Sequence, residues 1–129
     1  TVEGAAMPPG GACMDFRPWV RKFDDSPVFE PVAGVRMQGV IGGRLHANRV
    51  SMAPGAGVPE HQHVNEQLGC VLNGELILTI DGQEHRLGPG MAFAIPPGVP
   101  HAARAGAEGC VVIDIFTPPR DDYPAARGA

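Results

Sequence analysis

Cysteine, positive charge and long apolar runs are all scarce in this sequence of 129 residues. Its three cysteines are an odd number without CxxC spacing, which argues against both a disulfide framework and a zinc ribbon. With 10 Lys and Arg against 14 Asp and Glu, the chain lacks the basic surface that a nucleic-acid partner selects. No apolar run approaches the ~20 residues that span a bilayer, and the first residues show no signal-peptide pattern. We therefore expect a cytoplasmic protein that binds neither nucleic acid nor membrane.

A sustained helical period is also absent, and short apolar stretches separated by turn residues stand in its place. From residue 35 onward these stretches alternate with Gly, Pro, Asn or Asp, which is typical of an all-β sandwich or barrel. The pair Asp81-Gly82 predicts a tight hairpin turn, because both residues tolerate positive φ. Strands are expected near Val35–Ile41, Leu45–Met52, Glu60–Val64, Gln67–Leu72, Glu75–Ile80, Gln83–Arg86, Met91–Ile95, His101–Ala105 and Cys110–Phe116.

We expect one barrel domain over residues 35–122, preceded by an arm and an aromatic-rich segment at 1–34 and followed by a tail at 123–129. The segment holds most of the aromatic residues of the chain: Phe16, Trp19, Phe23 and Phe29. These rings are expected to cover one end of the barrel or a dimer interface; the alternative is a lid over a ligand. Exposed edge strands and this segment together predict a homodimer. One strand face is too apolar to be left in water and supports the prediction of a homodimer: Leu68, Cys70 and Leu72.

His61 and His63 are one residue apart on a predicted strand. Side chains alternate faces along a strand, so these two should point the same way, about 7 Å apart along the backbone. Two imidazoles on one face favour a divalent metal site. The surrounding residues 55–74 have the spacing G-x5-H-x-H-x3-Q-x6-G, and residues 90–101 have the spacing G-x5-P-x-G-x2-H.

These spacings resemble the two signature motifs of the cupin superfamily, with Gln67 where the usual pattern has glutamate. The resemblance implies an all-β, single-domain, cupin-type jelly-roll β-barrel of two antiparallel sheets. It also implies one divalent transition metal (iron, manganese, nickel, zinc or copper) held by His61, His63, Gln67 and His101. One or two coordination positions would stay open, as a catalytic site requires. Glu66 would stand one residue too close to His63 and one too far from Gly74, so it is expected to face away.

The replacement of a carboxylate ligand by the amide of Gln67 has an electrostatic consequence. Three imidazoles and one amide leave a divalent ion with its full charge, which does not repel an anionic substrate. A retained glutamate about 4 Å from a substrate carboxylate would add repulsion on the order of 4 kcal/mol at an effective dielectric near 20. This favours Lewis-acid chemistry on an oxyacid or sugar over oxygen chemistry. His46 and His85 lack the motif spacing and are not expected in the site.

The run CVVIDIF, at residues 110–116, reads as a strand with a carboxylate near its centre. Alternation divides it into two faces: Cys110, Val112, Asp114 and Phe116, and opposite them Val111, Ile113 and Ile115. The three aliphatic residues of the second face are expected to need a core. Burying an unpaired carboxylate costs free energy, so a carboxylate inside an apolar strand is expected to have a structural or functional role. Asp114 is therefore either half of an ion pair with Arg104 or Arg120, or a general acid or base facing the metal cavity.

Further motifs narrow the resemblance. The patterns HxHxxEQ, VLxGE, PPGVPH and DIFTPxRxDY resemble the small single-domain cupins of pectin and alginate breakdown, which act on 4,5-unsaturated uronates. In that group the glutamine is a metal ligand, and the Asp, Phe and Arg of the last motif line the substrate site. The resemblance implies a lyase or isomerase acting on a small anionic sugar acid or keto acid. Asp114 would move the proton, Phe116 would pack on the substrate, and Arg120 would hold its carboxylate with both arms of the guanidinium.

Two alternatives stay open at this point. One is a metal-dependent cupin dioxygenase; the other is a non-enzymatic cupin that binds or senses a sugar acid. Cupin lyases that rely on a barrel tyrosine are not expected, because the single tyrosine, Tyr123, lies beyond the last predicted strand.

Overall fold

The computed structural model describes residues 19–127 and consists almost entirely of β-strands. One short 3₁₀ helix and nine strands are present in this range. They are the helix Phe23–Asp25 and the strands β1 Phe29–Val32, β2 Val35–Ile41, β3 His46–Met52, β4 Gly57–His61, β5 Glu66–Ile80, β6 Gln83–Leu87, β7 Ala92–Ile95, β8 His101–Thr117 and β9 Ala126–Arg127. No helix within residues 19–127 is long and apolar enough to cross a membrane.

Two long strands, β5 and β8, pair with each other and join two layers of antiparallel sheet. The second half of β8 pairs with β3, which continues to β2 and β1, while its first residues pair with β4. In the same way, β5 pairs with β7 near its start and with β6 near its end. The short β9 runs parallel to β2. The predicted jelly-roll barrel of two antiparallel sheets is confirmed.

The two long strands stand where the sequence predicted four short ones. Two register shifts interrupt the β5–β8 ladder, between Val71 and Asn73 and between Gly74 and Leu76. Gly74 has a φ of +75°, and a Cβ atom there would lie 2.1 Å from the carbonyl oxygen of Gly109. Glycine at both positions lets the strands continue through this close crossing instead of ending at it. The predicted hairpin turn at Asp81-Gly82 is confirmed, with φ of 48° and 80°.

The barrel interior is lined by alternate residues of each strand. Its buried core includes Val35, Met37, Val50, Met52, Val71, Leu76, Leu78, Leu87, Ile95, Cys110 and Val112. The expectation that Val111, Ile113 and Ile115 occupy the core is wrong, because all three are half-buried while the other face of β8 points inward. Ile113 pairs with Cys70 and Ile115 with Leu68 across the ladder. We call these four residues, together with Leu72, the outer apolar face.

The described part of the aromatic segment lies on the outside of β2 and β3. The ring of Phe23 lies 5.5 Å from the guanidinium carbon of Arg49, which also pairs with Asp24. Trp19 is 82% exposed. Phe29 belongs to β1, and its ring lies 5.5 Å from that of Tyr123 at one end of the barrel. Phe16 lies outside the described residues, and the assignment of a cover or a lid stays a prediction.

Candidate metal centre

Three imidazole rings converge at one end of the barrel. His61 ends β4 and pairs with His101, the first residue of β8, while His63 lies in the loop that follows β4. The ring of His101 lies 4.3 Å from that of His61 and 4.9 Å from that of His63. One nitrogen of each ring lies within 4.8 Å of the other two. The three imidazoles therefore have the arrangement that a metal ion requires.

The loop after β4 holds His63 where the sequence predicted a continuous strand over Glu60–Val64. The backbone N–H of Gly98 donates to the carbonyl oxygen of His63 at 2.8 Å. Gly98 belongs to the second spacing motif and has a φ of +78°. The turn of the second motif thus fixes the loop of the first, and this contact turns the ring of His63 toward the ring of His101.

Backbone carbonyl groups hold the Nδ1 atoms of all three rings. The partners are the oxygens of Pro59 for His61 (3.0 Å), Asn65 for His63 (3.0 Å) and Val99 for His101 (2.8 Å). A carbonyl oxygen only accepts, so at His61 and His101 the Nδ1 atom carries the proton and the Nε2 atom presents its lone pair. At His63 both ring nitrogens face acceptor oxygens, because Nε2 lies 3.1 Å from the Oε1 atom of Gln67. Metal-binding histidines are oriented in this way by the partner of their other nitrogen.

Gln67 joins the three histidines from β5. Its Oε1 atom lies 3.1 Å from the Nε2 atom of His63, and its side chain is buried. The Nε2 atom of His101 is buried with no hydrogen-bond partner among the described residues. A metal ion would satisfy this orphaned nitrogen, so the imidazoles and the amide fit a divalent transition metal. Glu66 is exposed and lies away from the site.

The surroundings of His63 and His101 favour their neutral forms. Burial lowers the pKa of His101, and the nearby His61 and His63 lower it further. Burial also lowers the pKa of His63, and the positive charge of Arg120 acts in the same direction. Only the neutral ring can bind a metal ion, so these shifts reduce the competition from protons.

Asp114 lies on β8 and faces a cavity next to the histidines. In the sheet register it stands between Asn48 of β3 and Gly69 of β5. The residue is half-buried as a whole, but its Oδ1 atom is fully enclosed with no hydrogen-bond partner among the described residues. Burial raises the pKa of its carboxyl group to about 7, while a hydrogen bond with Gln67 and the charge of Arg120 act in the opposite direction.

The two arginines considered as ion-pair partners of Asp114 pair with other carboxylates. Arg104 lies 3.7 Å from Glu84 on the surface. Arg120 donates from Nε and Nη2 to the two oxygens of Asp122, at 3.0 and 2.8 Å. This pair lowers the pKa of Asp122. The structural ion-pair explanation of Asp114 therefore has no support in these contacts.

The pair with Asp122 fixes the guanidinium of Arg120. It uses Nε and one N–H group of Nη2, so the two N–H groups of Nη1 and the second of Nη2 are left for a ligand. The Nη1 atom is buried without a hydrogen-bond partner among the described residues, and Arg120 lines the same cavity as Asp114. The guanidinium carbon lies 4.1 Å from the ring centre of Tyr123 and 5.4 Å from that of Phe116. The expected grip on a substrate carboxylate with both arms stays a prediction.

Three residues around the site were not expected there from the sequence: His46, Asn65 and Tyr123. His46 is fully buried, its ring lies 5.5 Å from that of Phe116, and its Nδ1 atom accepts from the backbone N–H of Arg120 at 3.2 Å. Tyr123 lines the cavity, and burial raises its pKa. Its position beyond the predicted strands therefore does not keep it away from the cavity, and the expectation about lyases that use a barrel tyrosine stays a prediction. Asn65 donates from Nδ2 to two carbonyl oxygens, those of Pro118 (2.6 Å) and Pro119 (3.3 Å).

These contacts hold residues 118–125, which we call the C-terminal strap, across the site. The strap carries Arg120 and Tyr123 to the cavity, and β9 follows it beside β2. The sequence signals that could have located this region are the polar residues Asn65, which lies inside the first motif, and His46, which begins β3.

Comparison with known proteins agrees with this fold and site. The family model described as "Cupin domain" matches residues 48–116, more than half of the chain. This chain therefore belongs to the cupin family. The structure of KdgF from Halomonas sp. is 31% identical, covers 80% of this chain and 98% of that chain, and has a TM-score of 0.71.

Two curated relatives match part of their length. The HTH-type transcriptional regulator PuuR of Escherichia coli is 41% identical over 58 residues, which cover 44% of this chain and 31% of the regulator. H2HPP isomerase of Bacillus subtilis is 32% identical over 100 residues, which cover 70% of this chain and 42% of the isomerase. The matched region thus spans less than half the length of either relative.

Proposed function

We propose that this cupin is a metal-dependent lyase or isomerase that moves a proton on a small anionic sugar acid or keto acid. The position of Asp114 carries the proposal, because its carboxyl group lines the same cavity as His61, His101 and Gln67. A carboxyl group and a metal site that face one small cavity can act on the same ligand.

His61, His63, Gln67 and His101 would hold one divalent transition metal ion. When bound, such an ion polarises the oxygen atoms of a ligand, which makes a neighbouring C–H group more acidic. The amide of Gln67 contributes no negative charge, so it does not oppose an anionic ligand.

Asp114 would accept the proton and return it at another atom of the ligand. Its enclosed Oδ1 atom is free to accept a hydrogen bond from the ligand. Opposing influences, burial on one side and Gln67 with Arg120 on the other, leave its pKa at about 7. A carboxyl group that titrates close to neutrality can act as base and then as acid in one turnover.

Arg120 and Phe116 would orient the ligand. The free Nη1 atom of Arg120 supplies one charge-assisted hydrogen bond to a carboxylate, and Asp122 keeps the guanidinium in place. The ring of Phe116 lies edge-on to that of His63 at 5.7 Å and offers an apolar surface beside the ligands. The resemblance to uronate-acting cupins and the similarity to an isomerase both support this direction.

The proposal can be tested with purified protein in D₂O. Elemental analysis identifies the metal, and the loaded protein is then incubated with a 4,5-unsaturated uronate and with simple 2-oxo acids. We expect NMR to show a new product or deuterium at the carbon beside the carbonyl group, lost after chelation and restored by the metal. Loaded protein that neither converts nor labels any of these acids would overturn the proposal.

A second candidate, a ligand-sensing domain without turnover, is favoured by one observation. A stretch of 58 residues is 41% identical to a transcriptional regulator. A sensing domain would return its ligand chemically intact and unlabelled from a saturable, metal-dependent binding experiment. The same D₂O experiment therefore separates the two candidates.

We also propose that the protein is a homodimer that pairs through the outer apolar face. Leu68 and Leu72 are 55% and 53% exposed on this face, beside Cys70, Ile113 and Ile115. Contiguous apolar surface of this kind is rarely left in contact with water.

A further inference from the structure

The cavity beside the histidines is polar at one end and apolar at the other. Its volume is about 50 Å³. Asp114, Gln67 and Arg120 line it near the histidines. Deeper in the barrel it is enclosed by aliphatic and thioether side chains: Met37, Val50, Met52, Leu76, Leu78 and Val112.

The strand register produces this division. On the inner face of β8, Asp114 is followed toward the middle of the strand by Val112, which pairs with Val50 and Val71. From the other end, His101 is followed on the same face by Ala103, which pairs with Leu78. On the inner face of β8, the residue next to each polar side chain in the direction of the barrel interior is therefore apolar.

The apolar end suits a hydrocarbon group and not the hydroxyl groups of a sugar. A hydroxyl group placed there would lose its hydrogen bonds to water and find no partner among these side chains. A cavity needs about 10–15 Å³ for each water-sized group, so the whole cavity, polar and apolar ends together, has room for roughly three to five heavy atoms. A sugar ring with its substituents is larger than that, and a bound 2-oxo acid fits only if its carboxylate lies at the mouth of the cavity beside the histidines.

We infer that the preferred ligand is a short-chain 2-oxo or 2-hydroxy acid whose small alkyl group fills the apolar end of the cavity. This inference rests on the proposed function, because the acid group and its neighbouring oxygen are taken to bind at the polar end. It narrows the substrate class from sugar acids and keto acids to acids with about two or three side-chain carbons, because the 2-oxygen and its carbon take up about two of the heavy atoms that the cavity volume admits.

The inference predicts a definite dependence on chain length. Each methylene group moved from water into an apolar site increases affinity about fourfold, until the space is filled. A longer chain must then displace packed side chains, and affinity falls.

The experiment is isothermal titration calorimetry on zinc-loaded protein with pyruvate, 2-oxobutanoate, 2-oxopentanoate, 2-oxohexanoate, 2-oxooctanoate and galacturonate. We expect affinity to rise about fourfold per carbon from pyruvate to an optimum at 2-oxobutanoate or 2-oxopentanoate, and to fall at 2-oxohexanoate and 2-oxooctanoate. Galacturonate should bind less tightly than the optimal acid.

Two variants at neighbouring positions test whether the cavity is responsible. Ala103 lines the cavity, whereas Ala102 is the adjacent residue of β8 and points to the other side of the strand. Ala103→Val should shift the optimum to a shorter chain, and Ala102→Val should leave it unchanged. Val112→Ala enlarges the apolar end and should shift the optimum to a longer chain.

The outcomes separate this inference from the proposed function. Metal-dependent binding that does not change with chain length, or that is tightest for galacturonate, would overturn the inference and leave the proposed function standing. An optimum that Ala103→Val and Ala102→Val shift equally would also overturn it. If no acid binds in a metal-dependent way, both the inference and the proposed function are wrong.

Discussion

Single residues decide the charge of the candidate metal centre. Gln67 is neutral, and its Oε1 atom faces the ring of His63. We expect Gln67→Glu to keep the metal but to weaken the binding of an anionic ligand by at least about tenfold, because a carboxylate some 4 Å from another repels it by up to ~4 kcal/mol. Titration of the loaded variant with a 2-oxo acid and with its neutral methyl ester measures this effect, and the ester should bind both proteins equally.

His101→Ala provides the complementary variant, because it removes a ligand and should abolish metal binding in elemental analysis. An unchanged affinity of Gln67→Glu for the anionic acid would show that the electrostatic explanation is wrong.

The sequence predicts which residues come together at the candidate metal centre, because they follow from spacing along the chain. The doubled motif selects His61, His63, Gln67 and His101, and the structure brings these four together. The state of Arg120 was not predictable in this way. Whether its guanidinium is free or paired with Asp122 depends on the side-chain conformation of two residues in an irregular segment.

At the scale of elements, Asn65 connects the metal-binding loop to the C-terminal strap. Its buried side chain donates to the carbonyl oxygens of Pro118 and Pro119. We expect Asn65→Ala to lower the free energy of unfolding by about 1–3 kcal/mol, because buried carbonyl groups lose their donor. Chemical denaturation measures the change. Asn73→Ala, at an exposed position of β5, should cost much less, and equal losses would argue against the connecting role of Asn65.

A glycine pair tests the crossing of β5 and β8. Gly74 and Gly82 both have positive φ, but a Cβ atom would lie 2.1 Å from a carbonyl oxygen at Gly74 and meets nothing within 4 Å at Gly82. Gly82→Ala should therefore cost only the backbone term of about 1–2 kcal/mol. Gly74→Ala should cost more than twice as much or prevent folding, since backbone must move. Similar melting temperatures for the two variants would contradict this explanation of the bent strands.

The strap shows where element prediction from sequence fails. Strand periodicity locates β2, β3 and β6 because each alternates or ends at a turn signal. It does not locate residues 118–125, which have no period and are held by contacts to Asn65 and His46, far away in the chain. The position of Tyr123 beside the cavity could not be predicted for the same reason.

At the scale of the whole molecule, the outer apolar face predicts a dimer. We expect sedimentation at micromolar concentration to show a dimer, and Leu68→Glu to shift it to monomer with an unchanged circular dichroism spectrum, because a charge cannot be buried unpaired in the interface. Leu45→Glu is the control, since Leu45 is 58% exposed in the β2–β3 turn. A wild-type monomer, or a dimer that Leu68→Glu leaves intact, would refute pairing through this face.

The central claim is that the carboxyl group of Asp114 transfers a proton on a metal-bound ligand. The most direct measurement is the rate of deuterium incorporation or product formation by Asp114→Asn, compared with wild type by NMR in D₂O. The substitution nearly conserves shape, so the variant should fold, bind metal and bind ligand, yet react ~10²- to 10⁴-fold more slowly. A variant that reacts at nearly the wild-type rate per folded molecule, with only its melting temperature lowered, would contradict the claim and reduce Asp114 to a structural role.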